Sequence, residues 1–135
     1  MTFAAAILPT LLSWVLFLAG PGHGDLFQAI HLHETAGGKS YVGDGGASVG
    51  PFHIGEAYWI DGTAEGGVRW PYRLAWSRKH SEWVMYWYWR RYGARTDEQR
   101  ARMHNGGPRG HRRRSTLPYW RRVKAILDHG KDAGT

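Results

Sequence analysis

Two carboxylates, Glu34 and Asp44, lie ten residues apart in surroundings of opposite character. Glu34 closes a run in which Leu26, Phe27, Ala29, Ile30 and Leu32 recur at helical spacing, so its carboxyl would be desolvated and favoured in the neutral form. Asp44 stands among Gly43, Gly45 and Gly46, a polar stretch that leaves a carboxylate ionised. One acid that holds its proton beside one that does not is the pairing glycoside hydrolysis requires. Spacing alone fits equally a helix-end acid and a turn-forming aspartate. Ser48, just before the Val49-Gly50-Pro51-Phe52 step, could offer its hydroxyl to a sugar or cap a helix entry. Tyr58 and Trp59 suit stacking against a saccharide, or a short helix that is half core and half rim. His31 and His33 flank Leu32 ahead of Glu34, but positions i and i+2 of a helix face different ways, so no metal site is assigned.

The elements that must hold these residues follow from caps and breakers. After Pro21-Gly22-His23-Gly24, Asp25 is a candidate N-cap for the helix that ends near Glu34, and Gly37-Gly38 stops it. Residues 39–50 read as a loop or small hairpin. Pro51 suits the first turn of a helix running to about Ile60, with Asp61-Gly62 as its stop and a link over 63–67. A long aromatic helix is expected from Trp70 to Tyr92, central and buried, closed by Gly93. Thr96 and Gln99 have capping-box spacing for a helix ending at His104-Asn105-Gly106-Gly107-Pro108. A last helix is expected from Ser115-Thr116-Pro118 to about Leu127. The fold class is mainly α (α+β), with a short β or loop insertion after the helix that carries Glu34.

The 135 residues include eight Trp, seven Tyr and four Phe, are 42% apolar and 21% charged, and contain no cysteine. That composition supports one packed domain and excludes a disulfide scaffold, thiol catalysis and thiolate metal sites. Phe3 to Ala19 is uncharged and mostly apolar, which reads as an export leader over 1–24, ahead of a domain over 25–128 and a disordered tail over 129–135. The net charge of +7 is not spread evenly: residues 1–94 carry seven basic and seven acidic groups, residues 95–135 eleven and four. Arg109, Arg112, Arg113, Arg114, Arg121, Arg122 and Lys124, with Tyr119 and Trp120 between them, form a basic surface suited to an anionic polymer, whether wall or nucleic acid.

Two blocks of this chain resemble the invertebrate-type lysozyme (destabilase) family. The first runs from Ile30 to Gly62 and holds a Glu, a Gly-rich turn, an Asp, the Gly50-Pro51-Phe52-His53-Ile54 step and Tyr58-Trp59. The second runs from Ala101 to Lys124 and holds His104-Asn105-Gly106-Gly107-Pro108 and Tyr119-Trp120. The resemblance implies a secreted or envelope lysozyme-fold hydrolase that cuts the β-1,4 bond between N-acetylmuramic acid and N-acetylglucosamine, without cofactor. Glu34 would be the general acid and Asp44 the nucleophile or stabilising carboxylate. Ser48, His53, Tyr58, His104 and Asn105 would face substrate. A lytic transglycosylase using Glu34 alone, or a non-catalytic cationic binding protein on the same scaffold, are the alternatives. The chain departs from the family pattern in having Val49, Gly62 and His111 where cysteine is expected, His53 where Gln is usual, and a Glu34 to Asp44 interval about two residues shorter.

Overall fold

A computed structural model describes residues 4–133. Six helices, α1 (Ala4–Ala19), α2 (Gly24–Glu34), α3 (Glu56–Gly66), α4 (Arg78–Arg91), α5 (Asp97–Gly106) and α6 (Leu117–Ala133), surround one small sheet. Its strands β1 (Val42–Gly43), β2 (Ser48–Val49) and β3 (Ile54–Gly55) are antiparallel in sequence order, pairing Val42 with Val49 and Val49 with Ile54. The architecture is the mainly α one expected, with its β insertion between α2 and α3.

The core gathers around α2 and α4. Leu26, Phe27, Ala29 and Ile30 form the buried stripe of α2, and Phe27 stacks on Trp89 of α4 with ring centres 5.3 Å apart. Burying an aromatic or branched side chain of this size contributes about 1.5–3 kcal/mol, so the stripe fixes the axis of α2 and with it the direction in which Glu34 leaves the helix. The helix starts two residues earlier than expected, with His23 rather than Asp25 as N-cap, and Asp25 sits in the first turn against the positive end of the dipole. Thr35 ends it: fully buried, its hydroxyl donates to the His31 carbonyl at 2.6 Å and accepts from the Gly38 amide at 2.8 Å.

Three further expected boundaries move. Pro51 does not open a helix. Gly50 lies so close to the Ala75 carbonyl that a Cβ there would collide with it, and the chain turns through Phe52, which is fully buried, into β3. Helix α3 therefore begins at Glu56. Nor do Asp61 and Gly62 stop α3, which continues to Gly66 and closes on Gly67 in the left-handed region. Gly62 instead lets α3 approach α4, since a Cβ there would lie 2.6 Å from Val84 Cγ1 and from the Val84 carbonyl oxygen. The expected helix over 70–92 is two pieces, a 3-10 turn over Tyr72–Trp76 and α4, separated at Ser77, whose side chain caps α4 by accepting from the His80 amide. Val84, Met85, Tyr88 and Trp89 of α4 are buried as expected, while Trp83, Tyr86 and Trp87 are only partly covered.

Thr96 caps α5 as expected, accepting from the Gln99 amide at 3.1 Å, and Gln99 in turn accepts from the Arg95 amide at 2.7 Å. Helix α6 buries Tyr119, Val123 and Leu127 against the core and runs on through exposed residues to Ala133, beyond the end expected at Leu127 and through most of the expected tail. Residues 134–135 of that tail, and residues 1–3 of the expected leader, lie outside the described part. Helix α1 touches the domain through Phe17, whose carbonyl accepts from Trp83 Nε1 at 3.0 Å and whose ring meets His80 edge-on at 4.8 Å. Leu11, Leu12, Trp14, Val15, Leu16 and Leu18 are exposed. Among the described residues no helix is long and apolar enough to cross a membrane.

Candidate active site

Glu34 is the last residue of α2, and its carboxyl is met by side chains from three other elements. Tyr119 of α6 donates its hydroxyl to Glu34 Oε1 at 2.8 Å. His104 of α5 brings Nε2 to 3.6 Å from the same oxygen, and His53 of the turn before β3 places Nδ1 3.4 Å from Oε2. The Glu34 side chain keeps 18% of its surface exposed, so a carboxyl hydrogen-bonded on Oε1 and faced by His53 on Oε2 still reaches solvent.

The protonation of its neighbours follows from burial and bonding. Burial, helped by the Glu34 carboxylate, holds the Tyr119 phenol well above its ordinary value, and burial above all does the same for Tyr58. Both are neutral donors. Burial pushes His104 below the usual imidazole range. As a neutral ring it donates from Nε2 to the Phe52 carbonyl at 2.8 Å and accepts the Tyr58 hydroxyl at Nδ1, 3.2 Å away. Tyr58 is itself stacked on Tyr88 at 3.8 Å. His33, beside Glu34, packs edge-on against Tyr119 at 4.8 Å and is lowered chiefly by burial. His31 turns the other way, bonding the Pro51 carbonyl through Nδ1 at 2.8 Å.

Asp44 occupies the tip of the hairpin between β1 and β2. It is exposed, with φ of 51°, a left-handed conformation that Asp tolerates better than most residues. Its Oδ2 accepts the hydroxyl of Ser48, which is buried, at 3.0 Å. Gly43 connects the two acids in space: a Cβ on it would lie 2.5 Å from His53 Nδ1 and 2.7 Å from Ser48 Oγ. Glu34, His53, Gly43, Ser48 and Asp44 thus form one contiguous row. Such a row offers a hydrogen-bonded carboxyl at one end and a solvated carboxylate at the other, the two groups an acid-assisted displacement at an acetal carbon uses.

The seven residues singled out in the sequence therefore divide. Glu34 faces His53 and Ser48 bonds Asp44, the two pairs flanking Gly43, and Tyr58 and His104 stand behind Glu34 as an ordered support. Asn105 is exposed at the end of α5 and, among the described residues, its side chain makes no hydrogen bond. Tyr119 is a site residue that sequence reasoning misses. Its signal is the Tyr119-Trp120 pair, which by sequence belongs to the basic surface. Arg109, Arg112, Arg113 and Arg114 are exposed, and their side chains form no ion pair among the described residues.

No family model matches the chain. Lysozyme 1 of Crassostrea virginica is 46% identical over 82 residues, covering 58% of this chain and 44% of that protein. The lysozyme of Meretrix lusoria is 41% identical over 87 residues, covering 61% of this chain and 70% of that one. The matched region thus spans less than half the length of the oyster protein. Among solved structures, a chain of the complex of Aeromonas hydrophila PliI with Meretrix lusoria lysozyme aligns with a TM-score of 0.64 at 35% identity, over 79% of this chain and 92% of that one. Tapes japonica lysozyme aligns with a TM-score of 0.59 at 31% identity, over 77% and 91%.

Proposed function

This chain belongs to the invertebrate-type lysozyme family, and on that premise we propose that it hydrolyses the β-1,4 bond between N-acetylmuramic acid and N-acetylglucosamine in peptidoglycan. The observation that carries the reading is the Glu34 carboxyl, fixed by Tyr119 on one oxygen and faced by His53 on the other, in one row with Asp44. Glu34 gives its proton to the leaving glycosidic oxygen as the bond to the anomeric carbon breaks. Asp44 bonds to, or stabilises, the positive centre that develops. Water then attacks that carbon and returns a proton to Glu34. Because Tyr119 donates to Oε1, Oε2 is the oxygen left to carry the transferable proton. Ser48 orients Asp44, and His104 with Tyr58 keeps the Phe52-His53 turn in place.

Substrate contact extends, in this reading, to the exposed Asn105 and to an anionic wall polymer along Arg109, Arg112, Arg113 and Arg114. The exposed apolar surface of α1 supports an export leader or envelope anchor over 1–24. The test is Glu34→Gln on purified peptidoglycan. Release of reducing ends falls about 10²–10⁴-fold, the usual contribution of a general acid, while the melting temperature is unchanged. Undiminished release would overturn the assignment.

A further inference from the structure

We propose that His53 and Glu34 hold one proton between them, His53 acting as a positioning residue that keeps the acid charged with its proton up to higher pH than a lone carboxyl would. The inference rests on Glu34 being the general acid.

The hydrogen bonds decide which ring nitrogen faces the acid. His53 Nε2 lies 2.9 Å from the Ser40 carbonyl, which can only accept, so Nε2 carries a hydrogen. In the neutral ring Nδ1 is then a lone pair, and it is Nδ1 that stands 3.4 Å from Glu34 Oε2. Two unprotonated groups facing each other there would repel. One proton between Oε2 and Nδ1 satisfies both. Tyr119 already donates to Oε1, which leaves Oε2 as the place for that proton.

The ring is built into this position at a cost in backbone freedom. His53 has φ of 48°, and its side chain is only 11% exposed. It fits because Gly43 has no Cβ to strike Nδ1. A surface histidine needs neither feature, and glutamine, usual here in the resembling family, could hydrogen-bond the acid without taking its proton.

The surrounding groups favour a pair that carries one proton. From α2, His33 is lowered by burial; from α5, His104 is lowered likewise and stays neutral. Tyr58 of α3 and Tyr119 of α6 are neutral donors. Arg122 of α6 is the cation whose charge reaches the adjoining His33 and Tyr119. Asp44 on the hairpin is the acid across Gly43. In the glycosidic step the leaving oxygen takes the shared proton from Oε2, leaving carboxylate and neutral imidazole. The attacking water restores it. Interacting groups titrate as a pair rather than one by one.

The test compares kcat/KM against pH for the full chain and for His53→Gln, with the nitrogen NMR signals of His53 followed in the full chain and in Glu34→Gln. The expected result is a basic limb at least about one pH unit lower in His53→Gln, and a His53 titration midpoint lower by about as much in Glu34→Gln. A basic limb that does not move, with Glu34→Gln inactive, overturns the shared proton and leaves the lysozyme reading standing. Should His53→Gln fail to fold, a His53 midpoint indifferent to Glu34→Gln overturns it equally. Full activity of Glu34→Gln, by contrast, would overturn the lysozyme reading itself.

Discussion

The two ends of the catalytic row are built in opposite ways. Glu34 is reached by groups from α5, α6 and the turn before β3, and the helix behind it is anchored by a stripe of fully buried side chains. Asp44 sits on a strained, exposed hairpin tip with one side-chain partner, the neighbouring Ser48. A carboxyl that must carry a proton and release it on cue needs fixed partners on both oxygens. One that must meet developing positive charge needs solvent and little else, so the scaffold concentrates its order on Glu34.

That contrast can be broken in three places. The largest effect should come from Asp44→Asn, which lowers reducing-end release by about 10²–10³-fold, in the range of losing one stabilising group at a transition state, yet leaves the melting temperature within error. A large loss of stability there would show that the hairpin tip is structural after all. Tyr119→Phe should cut activity by about tenfold and also destabilise the fold by about 1 kcal/mol, as expected for one net hydrogen bond. If only activity changes, the Glu34 end is less embedded than its contacts imply. The smallest effect is a pH trend. His104 is lowered by burial, so the unfolded chain binds the extra proton first as pH falls through the unfolded value of 6.5. Melting temperature should therefore be full above that pH and decline below it, until the folded value is reached. The decline should shrink in His104→Gln, measured from pH 7.5 down to 5.

Much of the Glu34 end is legible in the amino-acid order alone, because local rules govern it. Helical spacing from Leu26 to Ile30 places the acid at a helix end, and the Thr96 cap and Gly93 closure place α4 and α5 about it. Its partners are not legible as partners: Tyr119 is 85 residues away, and nothing in a sequence reports that distance closing. The turn that carries His53 misleads for a related reason. Proline at position 51 has the local signature of a helix start, but Gly50 is there to let the backbone pass the Ala75 carbonyl, and Phe52 is drawn into the core. Gly62 reads as a breaker and is a contact. Local chemistry assigns each glycine a conformational role; Gly62 serves proximity instead, and Gly50, with φ of 86°, serves both.

Gly62 and Gly66 lie one helical turn apart on α3, and on both the missing side chain is filled by α4, by Val84 and by the Trp87 ring. Where the resembling family leads one to expect a cysteine at position 62, two helices are joined by surface fit and an Arg90–Glu65 ion pair, with no covalent link. A covalent staple is broken by thiols, but a fitted surface is not. This domain should refold from denaturant equally well with or without dithiothreitol and without an oxidase or isomerase, and it can be produced in a reducing cytosol without loss of yield. Its weak point moves accordingly, from redox chemistry to steric substitution at a single helix crossing.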